Sequence, residues 1–273
     1  MKQRIITALV GLVVLGAVLA FYETIVLDAV VAVLILLAVY ELLHACGCLA
    51  HRAFTGFLML SAVAVPLFPA GVLARYAALL FLIYVFCMFC FMLANHSRLA
   101  ADRAGFAAFY TLLISLSAGC IVWMRDQFGY VVGLYALLVT LLAAWVSDTG
   151  AYFAGVFFGK HKLCPEISPK KTIEGVFGGV IAAVLAQALA AVGFSYAAHT
   201  EIPWIFVIVS PLLTGISIMG DLSASLVKRR FGIKDFSNLM PGHGGILDRF
   251  DSVLPLLPAV YLLFCYRHPI TFL

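Results

Sequence analysis

Apolar and polar positions along this chain fall into long blocks. Uncharged runs near the length of a membrane crossing occupy residues 5–22, 53–74, 76–95, 104–124, 127–147, 175–198 and 202–220. About 20 apolar residues at 1.5 Å per residue cross a hydrocarbon core, so each run predicts a transmembrane helix. Two further runs are interrupted. Residues 27–46 carry Asp28 near one end and Glu41 near the other. Residues 252–266 number only 15 and include Pro255 and Pro258, so that span must begin near Phe250. The pattern predicts an all-α integral membrane protein with about nine transmembrane helices. Lys2 and Arg4 ahead of the first run resemble the start of a signal peptide. The run is long for one and more spans follow, so it reads as a retained signal-anchor helix.

Charge placement tests the count, because Lys and Arg collect on the cytoplasmic side. With nine helices and a cytoplasmic N-terminus, 14 of the 17 Lys and Arg residues fall inside, and only Arg75, Arg125 and Arg267 fall outside. The C-terminus is then outside. One helix more or fewer in the first half would scatter the basic loops over both faces.

Composition fixes the solvent. Hydrophobic residues are 64% and charged residues 11% of the 273, against about 45–50% and 25% in soluble domains. That excludes a disordered chain, a collagen-like repeat and a disulfide-stapled secreted module, and it argues against a soluble enzyme. The net charge of +4 sits in the inside loops, so it marks topology and not nucleic-acid binding. Six of the seven cysteines, including Cys46-Gly-Cys48 and the Cys87/Cys90 pair, lie in or beside apolar runs. None has the second pair that a zinc site needs. They read as small buried hydrophobes.

Polarity then divides the chain into N-terminal transmembrane helices over 1–103 and a C-terminal transmembrane region over 104–273. The second region holds two polar stretches, 147–179 and 221–252, and function is expected there. Three blocks carry the chemistry. In the first, Ser147-Asp148-Thr149 begins a mostly apolar stretch running to Gly159-Lys160. The sixth helix can therefore continue past Asp148 and leave that carboxylate at membrane depth. Such a charge costs about 2.5–3.5 kcal/mol on insertion scales and is usually functional or paired. Gly155 and Gly159 have the spacing of close helix contacts; the stretch is not a P-loop, lacking one residue and the following Ser or Thr.

The second block, Ser168-Pro169-Lys170-Lys171-Thr172-Ile173-Glu174-Gly175, predicts a turn into the seventh helix. The helix N-terminus and two adjacent lysines suit phosphate, although the lysines alone would serve equally as topology determinants. The third block runs from Asp221 to Asp251. Asp221, Ser225 and Lys228 stand at i, i+4 and i+7, one helix face. Arg229, Arg230, Lys234 and Asp235 follow, then His243-Gly244-Gly245, Asp248, Arg249 and Asp251. Glycines let backbone approach a ligand closely, and Asp248 and Asp251 at i, i+3 can share a site. His243 is a candidate donor to a phosphate oxygen or a structural loop residue. Carboxylates with incomplete coordination hold Mg²⁺ that shares its shell with substrate phosphates. With Lys and Arg to neutralise phosphate, this is the equipment of phosphoryl or nucleotidyl transfer.

These residues resemble the phosphatidate cytidylyltransferase (CDP-diacylglycerol synthase) family of membrane enzymes. The family's long motif is matched from Ser225 through Lys228-Arg229, Lys234-Asp235, Ser237 and Pro241 to His243-Gly244-Gly245, Asp248-Arg249 and Asp251. Met240 is the one departure, a size-conserving change from the usual Leu, Ile or Phe. The blocks at 147–149 and 168–175 resemble the family's as well. The resemblance implies CMP transfer from CTP to phosphatidate, giving CDP-diacylglycerol and diphosphate. It implies Mg²⁺ dependence with room for a second cation such as K⁺, homodimers, and a bacterial inner (cytoplasmic) membrane location. By motif position Asp221 and Asp248 are the metal ligands. Lys228, Arg229, Arg249 and His243 join them as catalytic candidates, with Lys170, Lys171, Ser225, Lys234, Gly244, Gly245, Asp148 and Asp251 as substrate-binding candidates. The alternatives are a related enzyme acting on archaeal ether lipids, and a transporter. A transporter generally repeats its broken helices in both halves, whereas here the polar residues concentrate in one.

Overall fold

The computed structural model describes residues 2–240, 244–266 and 271–272. Helices follow one another as α1 (Lys2–Ala20), α2 (Ile25–Ala45), α3 (Arg52–Leu67), α4 (Ala70–Ala94), α5 (Ala101–Leu141), a π-helical turn (Leu142–Val146) and α6 (Ser147–Phe158). Strands β1 (Lys162–Cys164) and β2 (Ser168–Thr172) precede α7 (Ile173–Ala198). Then come β3 (Thr200–Glu201), α8 (Ile205–Ile208), α9 (Ser210–Arg230), α10 (Leu247–Phe250), α11 (Leu256–Tyr266) and β4 (Thr271–Phe272). The sheet amounts to two antiparallel two-stranded ribbons, β1 with β2 and β3 with β4.

Five described helical segments are long and apolar enough to cross a membrane: Ile25–Ala45, Ala70–Ala94, Ala101–Phe158, Ile173–Ala198 and Ser210–Arg230. Leu9–Ala20, Arg52–Leu67 and Leu256–Tyr266 are shorter apolar helices. The protein is therefore an all-α membrane protein, as the hydrophobic runs predict. The segment Ala101–Phe158 has 58 residues, roughly 87 Å at 1.5 Å per residue and far more than one crossing needs. Gly129 interrupts it with φ 73 and ψ −176, a conformation that glycine adopts without penalty. The break falls at the third residue of the predicted span 127–147, close to its junction with the span 104–124.

The chain forms two compact units. The first comprises Met1–Asp126 and Ile233–Arg249; the second comprises Gln127–Gly232 and Phe250–Leu273. In the first unit α2 packs on α3 through buried Leu27, Val31, Ile35, Leu42, Phe54 and Leu58. Tyr84 donates from its hydroxyl to the Ala108 carbonyl at 2.9 Å, and the Trp123 indole donates to the Phe68 carbonyl at 3.0 Å. Arg125 grips Asp28 with both guanidinium amines, at 2.5 and 3.0 Å. Outward-facing Phe81, Leu82, Phe86 and Phe89 of α4 are exposed, the surface that lipid would cover.

In the second unit α6 lies along α7 with almost no side-chain layer between them. A Cβ on Gly179 would stand 2.7 Å from the Ser147 carbonyl oxygen, and one on Gly175 would stand 2.8 Å from that of Ala151. Gly150 and Gly178 face Ala182 and Ala154 in the same seam. Helices in lipid gain little from the hydrophobic effect, so small residues that let backbones touch supply the attraction. Gly155 and Gly159, read as packing residues, both abut the Thr172 hydroxyl. Farther along, Tyr135, Phe194, Phe206 and Phe264 form an aromatic cluster with ring centroids 4.3–6.2 Å apart.

No disulfide occurs among the described residues. Cys46, Cys48 and Cys120 are buried, while Cys90 is exposed on α4.

Candidate active site

The two units each hold part of the polar equipment. In the second unit the first and second blocks meet the α9 face. Helix α5 runs through the π-helical turn into α6 without a break after Asp148, so Asp148 sits in the first turn of α6, half-buried. The Ser252 hydroxyl donates to its Oδ2 at 3.3 Å. The turn expected at Ser168–Thr172 is strand β2, paired with β1 in an irregular register. Thr172 ends the strand and caps α7, accepting from the Gly175 amide at 3.1 Å. Alternation along β2 leaves Lys170 exposed and turns Lys171 partly inward.

Lys171 Nζ lies 2.6 Å from Asp221 Oδ2. The contact is a close ion pair between partly buried groups. Ser225, one turn along α9, donates from Oγ to Asp221 Oδ1 at 3.4 Å. Lys228, a turn farther, places Nζ 3.8 Å from Asp251 Oδ2. The i, i+4, i+7 face predicted for α9 is therefore real, and its three residues converge with Lys171 and Asp251. Arg229 and Arg230 lie exposed at the α9 C-terminus, where cations suit the helix dipole.

Burial and the like charge of Asp221 push Asp251 up to about 7, against the pull of Lys228 and the Ser252 amide; Asp148 adds to the repulsion. Two ammonium groups thus face three carboxylates that repel one another. Hard oxygen donors with surplus negative charge suit Mg²⁺, which takes one or two carboxylates and completes its shell with water and phosphate. Among the described residues no three His, Cys, Asp or Glu side chains converge closely enough to enclose a metal by themselves. An ion bound there would take the rest of its shell from water and phosphate.

The first unit holds the rest of the third block. Lys234 is exposed. Asp248 lies in α10, and its Oδ2 accepts from the Phe236 amide at 2.8 Å and the Gly245 amide at 3.0 Å. Exposed Arg249 follows it. Gly244 has φ 84, and a Cβ there would stand 2.9 Å from Asp248 Oδ2. The room left by these glycines is filled by the protein's own carboxylates: Asp248 at Gly244, and Glu41 at Gly245. His243 lies outside the described residues.

Sequence reasoning missed two participants. Ser252 was read only as the start of a span, yet it hydrogen-bonds Asp148. Glu41 was noted only as an interruption of a span, yet it reaches the loop that carries Asp248. A carboxylate kept inside an apolar helix was the available signal.

The chain is similar to known proteins along most of its length. The sequence pattern of the cytidylyltransferase family matches residues 2–266. A phosphatidate cytidylyltransferase of Bacillus subtilis is 34% identical over 276 residues, covering 96% of this chain and 97% of that one. One of Staphylococcus epidermidis is 39% identical over 173 residues, 63% of this chain and 65% of its own. One of Haemophilus influenzae is 44% identical over 130 residues, 46% of this chain and 44% of its own. A pattern matched from residue 2 to residue 266, over a fold of apolar helices with lysines and carboxylates converging at their ends, places this chain in the cytidylyltransferase family.

Proposed function

We propose that the protein transfers CMP from CTP to phosphatidate, forming CDP-diacylglycerol and diphosphate in phospholipid synthesis. The observation that carries this reading is the convergence of Lys171, Asp221, Ser225, Lys228 and Asp251 from separate motif blocks in a member of the family. The aligned relatives are bacterial and named for phosphatidate, which favours that substrate over an archaeal ether lipid. Family membership sets the transporter alternative aside.

The reaction is one in-line displacement. A phosphate oxygen of phosphatidate forms a bond to the α-phosphorus of CTP while the bridging bond to the β-phosphate breaks, and diphosphate leaves with that electron pair. Two anionic substrates must meet, so cations have to offset their repulsion; Lys171 and Lys228 are the first candidates for that role, with Lys170, Arg229, Lys234 and Arg249 as further phosphate partners. Lys171 and Ser225 fix the rotamer of Asp221. Asp221 and Asp248 are the residues that would hold Mg²⁺, a second cation such as K⁺ is part of the same reading, and Asp148 and Asp251 would orient substrate. When bound, Mg²⁺ supplies charge that stabilises the phosphates and the departing diphosphate. The lipid phosphate is already largely ionised at neutral pH, its second pKa being near ~6 by analogy with phosphoserine. No activated side-chain nucleophile is required.

Protein incubated with CTP labelled at the α-phosphorus is expected to carry no acid-stable label. Adding phosphatidate should move the label into the organic phase and release unlabelled diphosphate. A labelled chain would refute the one-step displacement, and an unlabelled lipid fraction under every metal condition would refute the activity.

Nine spans with the N-terminus inside complete the proposal, in a bacterial inner membrane and as a homodimer. Five long apolar segments, one of them divided at Gly129, and three shorter helices support that number. Cysteines placed at Lys162 and at the C-terminus are expected to label from opposite sides of the membrane. Labelling from one side alone would sink the topology.

A further inference from the structure

Helix α2 is apolar apart from Asp28 in its first turn and Glu41 and His44 near its end. Glu41 is only 3% exposed. Its Oε1 accepts from the Ser237 hydroxyl at 2.6 Å and from the Ile246 amide at 2.9 Å, and its Oε2 accepts from the Leu247 amide at 2.9 Å. These donors are neutral, and two of them are backbone amides of the segment that carries Asp248 and Arg249. A carboxylate can accept at both oxygens and donates at neither, so it matches three inward-pointing donors where an amide side chain does not. Gly245 allows the approach: a Cβ there would fall 2.6 Å from the Glu41 carboxyl carbon. The adjoining Asp248 carboxylate ties the same segment to Phe236 and Gly245. Two acids from distant parts of the sequence thus hold one short loop from two sides.

We propose that Glu41 is a positioning residue for the transfer reaction: its buried carboxylate clamps Ser237 and the Ile246 and Leu247 amides and so fixes the loop that presents Asp248 and Arg249. The inference rests on the cytidylyltransferase reading above. The Glu41 carboxylate is engaged by the loop, so its role in the reaction is exerted through Asp248 and Arg249. A displaced loop misplaces groups needed in the transition state, and misplacement of about 1 Å can cost 10²-fold in rate. The effect therefore belongs in kcat.

The test uses the full-length protein in detergent. Glu41→Gln keeps size but sets an NH₂ against a backbone N–H, and is expected to lower kcat by about 10–100-fold with KM for CTP within about twofold of wild type. Hydrogen exchange at the Ile246 and Leu247 amides should rise by about an order of magnitude at the same time. Ser237→Ala removes one donor and leaves the buried carboxylate with both backbone amides, so it is the milder change and should shift both readouts in the same direction by less. The double variant should cost no more in kcat than Glu41→Gln alone, since the two act as one unit. Unchanged kcat and exchange in Glu41→Gln and Ser237→Ala, or losses proportional to lost folded protein, would overturn the positioning role alone. Wild-type protein that makes no CDP-lipid would overturn the activity, while exchange would still report whether Glu41 holds the loop.

Discussion

Asp221→Asn is expected to reduce kcat/KM by on the order of 10²–10³-fold, the scale of losing a charge-stabilising group at a reacting centre, with the protein still folded. Asparagine is nearly isosteric, so α9 keeps its packing. What disappears is the negative charge that Lys171 meets at 2.6 Å and that a divalent cation would need. Asp248→Asn is expected to show a loss of similar size, because a neutral amide is a poor ligand for Mg²⁺. Turnover should be measured with saturating Mg²⁺, CTP and phosphatidate, and folding by thermal unfolding of the same preparations. Near-normal turnover in either variant would remove that residue from the proposed ligand pair.

The second large effect concerns the fold, and the same substitution should act with opposite sign at two positions of α7. Gly179→Ala brings a Cβ to 2.7 Å from the Ser147 carbonyl oxygen and 3.2 Å from the Ala151 Cβ. Backbone cannot swing aside as a side chain can, so the helices must separate. Overpacking of this kind costs about 1–3 kcal/mol. Gly193 has nothing within 4 Å of its would-be Cβ. There Gly193→Ala should be neutral or stabilise by about 0.5–1 kcal/mol, because glycine is the poorer helix former. Melting temperatures in one detergent should fall for the first and not for the second. Equal shifts at both positions would mean that the α6–α7 seam is looser than its geometry indicates.

How much of this was legible in the sequence depended on range. The long apolar runs mark helices because membrane crossing is a local, additive requirement, and the junction of the runs 104–124 and 127–147 lies within a few residues of the break at Gly129. The α9 face was equally readable, since Asp221, Ser225 and Lys228 need only helical periodicity to align. Contacts spanning the chain were not. Glu41 meets Ser237 across 196 positions and Leu247 across 206, and Ser252 meets Asp148 across 104. Periodicity within a window has no access to such pairs. Strand β2 escaped for a different reason: five residues containing Pro169 and two lysines show no apolar alternation, and pairing with β1 is what makes them a strand. The glycines at 244 and 245 are read from the sequence as places where a ligand approaches closely, whereas the groups that approach them in the structure are the chain's own Asp248 and Glu41 carboxylates.

The clasp between Asp28 and Arg125 sets a schedule for biogenesis. The two residues are 97 positions apart, and a ribosome adding about 5–20 residues per second delivers Arg125 roughly 5–20 s after Asp28. For that interval α2 must be accommodated by the insertion machinery with an unpaired carboxylate in its first turn. Only when the helix bearing Arg125 arrives can the first helices lock, so α2 is held provisionally until nearly half the chain has been made.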